Sequence, residues 1–349
     1  MWLISLLVCI FILGIIILIH EFGHFIVAKK SGVFIYEFSI GMGPVIFSHK
    51  GKDGISYNIR AFPIGGFVQM AGEVGEDDED VKKEQFMCNR PWYQRLAILC
   101  AGVFNNFVLA IVLLFLLACI WGPTSSTPKV LSVVEGSAAA SSGIRAGDVI
   151  TSINGHEFSS WDVGQIYLYY KDSDNIYSFG ITHSDGSSEV LEITPQIQKD
   201  DEGNETKVFG IQIDNSREKN LWENICYAFQ KFVDVIHSMA ITIWGLISGQ
   251  LSIQSLSGPV GIYKVIDTSI QYGLQQLIYI TAFLSINVGF INILPFPAFD
   301  GGHVLFLIIE KIKGSPVNPN IENVINLIGF GLLMLLMIYI TIKDIIFFF

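Results

Sequence analysis

Residues 1–30 read MWLISLLVCIFILGIIILIHEFGHFIVAKK: an apolar run from Met1 to Ile19, then His20-Glu21-Phe22-Gly23-His24, then Lys29-Lys30. The run approaches the roughly 20 residues of helix that cross a hydrocarbon core. Ionisable side chains at such depth are costly and by default mark function. On a helix, positions i and i+4 lie on one face a turn apart, so His20 and His24 aim two imidazoles at one point beside Glu21. This HExxH spacing suits two ligands of one zinc ion with the glutamate as base. A pair of interfacial histidines ending a span is the plainer alternative, but three ionisable groups in five positions after such a run are hard to explain as packing.

Beyond this segment the chain of 349 residues is 51% hydrophobic and only 15% charged, an unusual balance for a soluble protein. Further stretches long and apolar enough to span are Leu96 to Trp121, Leu277 to Phe299 and Ile325 to Ile342. A fifth, Ile225 to Ile247, carries Lys231, Asp234 and His237 and reads as an amphipathic helix on the membrane surface. No Lys or Arg precedes the first run and no small-residue cleavage site follows it, so it is expected as a retained span rather than a secretory signal. Lys29 and Lys30, Arg90 and Arg95, and Lys311 and Lys313 flank spans on sides expected to be cytoplasmic. With an even number of spans, both termini and the segment from Gly122 to Leu221 then face outside.

The net charge of -11 leaves no basic stripe to neutralise phosphates, which excludes nucleic acid as a partner. Glu76 to Asp80 form an acidic run expected as a solvated loop. Cys9, Cys100 and Cys119 lie inside spans while Cys88 and Cys226 stand alone, so no disulfide framework or zinc finger is indicated.

Between the first two spans, Ile55, Tyr57 and Ile59 alternate with Ser56, Asn58 and Arg60 in the period of a strand. A hairpin is expected here, with Pro63, Gly65 and Gly66 interrupting the pattern as suits an edge strand or a bulge rather than a central strand. From about Thr127 to Asp214 the sequence turns to soluble mixed α/β, punctuated at Gly147-Asp148 and Asp185-Gly186. Within it, Val133 to Ala140, Gly143 to Ile150 and Ile153-Asn154-Gly155 resemble the core of a PDZ domain.

A catalytic zinc site needs a third protein ligand and an open position for water. Asn292-Ile-Leu-Pro-Phe-Pro-Ala-Phe-Asp300-Gly-Gly-His303 offers one, because its two prolines and two glycines break the helix. Irregular backbone at membrane depth is tolerated only where it is buried or lines a watery cavity. Asp300 is the leading oxygen ligand; His303 competes with it, but reads better as a capping histidine or a partner of a ligand.

With HExxH in a first span, an NxxPxPxxDG segment near the C-terminus and a PDZ-like region between them, the chain resembles the site-2 protease family, and within it the bacterial regulator-of-sigma-E protease type, over essentially its whole length. The resemblance implies a zinc-dependent intramembrane endopeptidase, with Zn2+ held by His20, His24 and Asp300 and with Glu21 catalytic. It implies substrate contacts at Asn292, Asn106, Gly65 and Gly66, the glycines belonging to a membrane-reentrant hairpin spanning Gly41 to Met70. The second-span motif departs from the family's by lacking a proline in Gly102-Val-Phe-Asn-Asn106-Phe107, and Phe299 replaces the usual leucine before Asp300-Gly301. Many relatives carry two PDZ-like domains; this chain has room for one.

The expected fold is a polytopic α-helical membrane protein of about four transmembrane helices with a membrane-reentrant β-hairpin and an inserted α/β PDZ-like domain. Its expected parts are 1–122 (first span, hairpin and second span), 123–216 (extracytoplasmic PDZ-like domain), 217–275 (amphipathic interfacial segment) and 276–349 (third span, NxxPxPxxDG segment and fourth span). The implied setting is the bacterial inner membrane, with the zinc site near the cytoplasmic side. Implied substrates are transmembrane segments of membrane proteins already trimmed by another protease, such as anti-sigma factors or remnant signal peptides. The rival readings are a membrane PDZ adaptor with a structural zinc site, which would need four closed ligands, and a transporter, which would show broken helices in two related halves.

Overall fold

A computed structural model describes residues 2–72, 81–170, 175–199 and 205–348; the acidic run at 76–80 lies outside the described residues. Among the described residues, four helices are long and apolar enough to cross a membrane: α1 (Trp2–Lys30), α2 (Trp92–Trp121), α7 (Leu274–Ile293) and α9 (Pro319–Phe348). They match the four expected spans, with shifted ends. The third stops at Ile293 rather than running to Phe299, because Leu294 precedes a proline and takes an extended conformation (φ -62°, ψ 139°).

The chain divides into two compact units, Met1–Leu113 with Leu256–Phe349, and Leu114–Ser255. The first holds the spans' contacts with β1 (Ile35–Lys50) and β2 (Ser56–Met70). Each of these strands is used twice. Residues 37–40 of β1 pair with 66–69 of β2 on one side and with 56–59 on the other, and 47–50 pair with 56–59 in turn. The expected hairpin is thus a small folded sheet, and the segment from Gly66 to Met70 forms an edge of it. Arg60 staples the sheet: it pairs with Glu37 at 2.5 Å, donates to the Gly43 carbonyl at 2.8 Å and lies over the Phe67 ring. Phe25 and Ala28 of α1, Phe38 and Val68 of the sheet, Ile98 of α2 and Leu307 bury one another in a shared core, which seats the sheet beside α1.

Helix α6 (Pro259–Gln271) packs on α1 and α7 through Ile16, Ile266 and Ile280. Its N-terminus is capped by Asp344 of α9, whose Oδ2 accepts from the backbone N–H groups of Gly258 and Gly261 at 2.8 and 2.9 Å. These are two of the donors that a helix start leaves without intrahelical partners. Helix α8 (Asp300–Lys313) follows the break after α7.

In the second unit, β4 (Val149–Ile153), β5 (His156–Glu157), β6 (Tyr177–Thr182) and β7 (Ser188–Ile193) form a sheet in the order β5-β4-β6-β7, while β3 (Val130–Val133) pairs with a C-terminal strand at Ile211–Ile213. Ile150, Ile153, Tyr177, Phe179 and Ile181 are fully buried at its centre. The segment expected as one interfacial region, 217–275, is divided between the units. Helix α5 (Leu221–Ile247) belongs to the second, held to α4 (Trp161–Tyr167) and its cap by Lys231–Asp162 at 2.6 Å and Ser160–Asp234 at 2.8 Å. Its other face exposes Trp222, Phe229, Val233 and Trp244, and α6 belongs to the first unit.

Candidate metal centre

His20 and His24 lie on the buried face of α1, each about 7% exposed. Asp300, the first residue of α8, reaches both: its Oδ2 is 3.1 Å from His20 Nε2 and 3.4 Å from His24 Nε2, and the two Nε2 atoms are 3.2 Å apart. Zinc bonds of about 2.0–2.1 Å in a tetrahedron separate ligand atoms by about 3.3–3.4 Å. The three donors therefore already stand at the separations of three corners of a zinc tetrahedron. Asp300 Oδ2 is buried without a hydrogen bond, a costly state for an oxygen that a cation relieves. The donor set of two imidazoles and one carboxylate also fits zinc and leaves a fourth position for water. His303 does not join the cluster; its Nδ1 lies 3.1 Å from Glu322 Oε1.

The ring nitrogens remote from the cluster fix the orientation of the histidines. His24 Nδ1–H donates to the Ile98 carbonyl at 2.8 Å, which leaves its Nε2 lone pair for a metal. His20 Nδ1 meets the side-chain amide of Asn106 at 3.3 Å. When Nε2 of His20 is committed to a metal, Nδ1 carries the proton and needs an acceptor, and Asn106 Oδ1, fully buried and otherwise unpartnered, supplies it once the amide presents its oxygen. Ser285 of α7 donates to the Asn106 carbonyl at 2.8 Å, tying α7 to this point.

Close backbone approach brings these groups together. A methyl built at Gly23 would overlap the Ala101 carbonyl, and one at Gly102 would overlap His24 Nε2 and stand 2.7 Å from His20 Cε1 and Nε2. At the start of α8, Gly301 packs over the Ile293 and Leu294 carbonyls and Gly302 over that of Phe296, so the chain turns back tightly enough to present Asp300. The carboxylate in a first helical turn also meets the positive end of the α8 dipole.

Glu21 is half-buried next to the histidines. The sheet edge passes it at Gly66, where a methyl would lie 3.4 Å from Glu21 Cγ and 2.9 Å from the Ser39 carbonyl. Gly65, with φ 90°, takes the left-handed region that favours glycine. Asn292 is half-buried in the last turn of α7, and its side chain makes no hydrogen bond among the described residues.

Residues 8–336 match peptidase family M50. The chain belongs to that family. It is 31% identical over 413 aligned positions to the regulator of sigma-W protease RasP of Bacillus subtilis, covering 96% of this chain and 97% of that protein. It is 31% identical over 419 positions to the zinc metalloprotease RasP of Shouchella clausii, covering 98% of each, and 32% identical over 416 positions to the zinc metalloprotease RasP of Bacillus licheniformis, covering 96% and 97%. This M50 protein is accordingly a multi-pass membrane metalloprotease that uses zinc.

Sequence reasoning on this M50 protease missed Ile98 and Ser285, and it named Gly102 in the second-span motif without its contact with the two histidine rings. A signal was available for Ile98 and Gly102, because they and Asn106 recur at intervals of four and so share one face of α2. Which rings that face meets is set by the packing of α1 on α2. Asn106, expected at the substrate, is fully buried against His20.

Proposed function

We propose that this enzyme is an intramembrane endopeptidase that hydrolyses peptide bonds of transmembrane segments, with His20, His24 and Asp300 as zinc ligands and Glu21 as general base and acid. The observation that carries the reading is the triangle of three donor atoms at zinc-ligand separations, with Glu21 one residue along and a sheet edge alongside. Bound zinc supplies Lewis acidity and lowers the pKa of water to about 7. Glu21 takes the proton of the water whose oxygen attacks the scissile carbonyl carbon. It then delivers a proton to the amide nitrogen as the C–N bond breaks, and a carboxylate and an amine leave.

A substrate helix has all its backbone groups paired, so a stretch must unwind before it is cut. The edge formed by Gly66 to Met70 can replace the lost bonds by strand addition, and the absence of side chains at Gly65 and Gly66 lets that strand lie close to Glu21. We assign this sheet as a membrane-reentrant element and Asn292 as a second contact to the substrate backbone. Asn106 we assign to holding His20 rather than to substrate. The basic pairs at Lys29-Lys30 and Lys311/Lys313 favour a zinc site near the cytoplasmic side, with both termini and the segment 123–216 outside. We read that segment as PDZ-like and as a filter for substrates trimmed by another protease; anti-sigma factors or remnant signal peptides fit that description.

The test is cleavage of a single-span reporter, shortened on its outer side, by detergent-solubilised protein with zinc quantified. Wild type cuts within the span, Glu21→Gln keeps zinc but is inactive, and Asp300→Asn loses zinc. If Glu21→Gln cuts as well as wild type, the mechanism is wrong; tight zinc in every variant with no cleavage favours an adaptor.

A further inference from the structure

The segment that delivers Asp300 is gripped by a helix to which neither the motif nor the ligand set assigns a role. Three residues of α9, Glu322, Asn326 and Gly329, stand at i, i+4 and i+7 and so share one face. Each meets the segment between α7 and the first turn of α8. Asn326 Oδ1 accepts from the Ala298 backbone N–H at 3.3 Å. Gly329 is buried against Pro297, where a methyl would overlap the proline ring and lie 3.1 Å from its carbonyl oxygen. Glu322 Oε1 is 3.1 Å from His303 Nδ1, one turn beyond Asp300. Most of the rest of α9 is exposed, as expected of a surface that faces lipid.

The gripped segment needs such support. Ala298 sits at φ 73°, a left-handed conformation that a residue with a Cβ adopts only when its surroundings over-determine it. Pro295 and Pro297 lack N–H donors, so the backbone between Leu294 and Phe299 has few bonds of its own. At its other end α9 is anchored by Asp344, buried under the start of α6. The helix is thus fixed at two points, and its near end bears directly on the two residues before Phe299-Asp300.

We infer that Glu322, Asn326 and Gly329 form a clamp that holds Pro297-Ala298 and the first turn of α8 so that Asp300 stands at ligand distance from His20 and His24. They are positioning residues that touch neither substrate nor metal. The inference rests on Asp300 being a ligand, so the experiment includes a variant that tests that separately.

Full-length protein in detergent is stripped with chelator and titrated with Co2+, whose visible spectrum reports the ligand set, and the unfolding temperature of the metal-free form is recorded for each variant. Asn326→Leu removes the acceptor, and Gly329→Ala drives a methyl into Pro297. Each weakens Co2+ binding by about 10–100-fold, the range typical when a ligand's support is lost, and shifts the spectrum toward that of Asp300→Ala. The metal-free unfolding temperature is unchanged. Asn326→Asp keeps an acceptor oxygen for the Ala298 N–H and restores wild-type affinity and spectrum. The clamp is refuted if Asn326→Leu and Gly329→Ala bind Co2+ with wild-type affinity and spectrum while Asp300→Ala does not, or if Asn326→Asp is as impaired as Asn326→Leu. If Asp300→Ala itself leaves the spectrum unchanged, the ligand assignment falls and the clamp with it.

Discussion

Gly102→Ala adds a single methyl to the middle of α2 and should abolish the metal centre without unfolding the protein. The methyl would overlap His24 Nε2 and lie 2.7 Å from both Cε1 and Nε2 of His20. Carbon contacts settle at about 3.5–4.0 Å, so one or both rings must move by about 1 Å. Metal–ligand distances tolerate only about ±0.2 Å, so the displacement exceeds the tolerance several-fold. Loss of a group that merely orients a ligand costs about 10–100-fold in affinity; displacing the ligand rings should cost at least about 100-fold, or about 2.7 kcal/mol. The fold has a smaller stake, because crowding costs about 1–3 kcal/mol and alanine returns about 1 kcal/mol of helix propensity. The assay is zinc retained against a graded chelator, alongside reporter cleavage and the unfolding temperature of the metal-free protein. Gly14→Ala, where nothing lies within 4 Å of the added methyl, serves as the control. Wild-type zinc affinity and cleavage in Gly102→Ala would refute the placement of α2 against the two rings.

Asn106→Leu, which removes the side-chain amide whose oxygen can turn to accept from His20 Nδ1, should lower zinc affinity about 10–100-fold while Asn106→Asp retains it; equal loss in both would show that the amide oxygen is not what His20 needs. Gly66→Val sets a side chain against the Ser39 carbonyl and Glu21, and should depress cleavage at least about tenfold with zinc content unchanged; loss of zinc instead would place the fault in the ligands rather than at the strand edge. In the second unit, Asp148 and Glu189 accept from the two His183 ring nitrogens at 2.9 and 2.8 Å, and these bonds hold the imidazole pKa above its usual value. A raised folded pKa stabilises below the unfolded value of about 6.5 and is lost as pH climbs through the folded one. The unfolding temperature of wild type should therefore exceed that of His183→Gln most in acid, the gap closing in alkali; a gap that widens with pH would reverse the assignment.

What could be read from the sequence was what local geometry determines. That His20 and His24 share one face follows from a helix period, and that Asp300 opens a new helix follows from a break that prolines and glycines impose; the structure brings these three together. The double use of β1 and β2 could not be read: the alternation at Ile55 to Arg60 marks a strand but not its partners, and residues 56–59 pair with two separate stretches of β1. Helix α5 carries an amphipathic pattern, which states that one face is covered without stating by what. The structure covers it with α4 and its cap through Lys231–Asp162 and Ser160–Asp234. Likewise, the sequence put Asp300 ahead of His303 but could not name the partner of the histidine, which is Glu322, a contact from the next helix along the chain.

The departures from the family's motifs bear on this site less than their positions imply. A proline in the second-span motif would act on the backbone of α2, yet α2 carries its glycine at 102 where both histidine rings need space and its asparagine at 106 where His20 needs a partner. Between them the helix is regular, so the ring contacts are set by spacing rather than by a kink. Phe299 before Asp300 is half-buried and caps α8 with an extended backbone, a role that a leucine also fills. The centre therefore depends on what is missing at a few positions: no Cβ at Gly23 and Gly102 where helices close on one another, none at Gly66 beside Glu21, and none at Gly301 and Gly302 where α8 folds back. Small residues are how helices approach closely in lipid, where burial of apolar surface offers little drive. Here the same economy brings donors from two segments far apart in sequence to within 3.4 Å of one another.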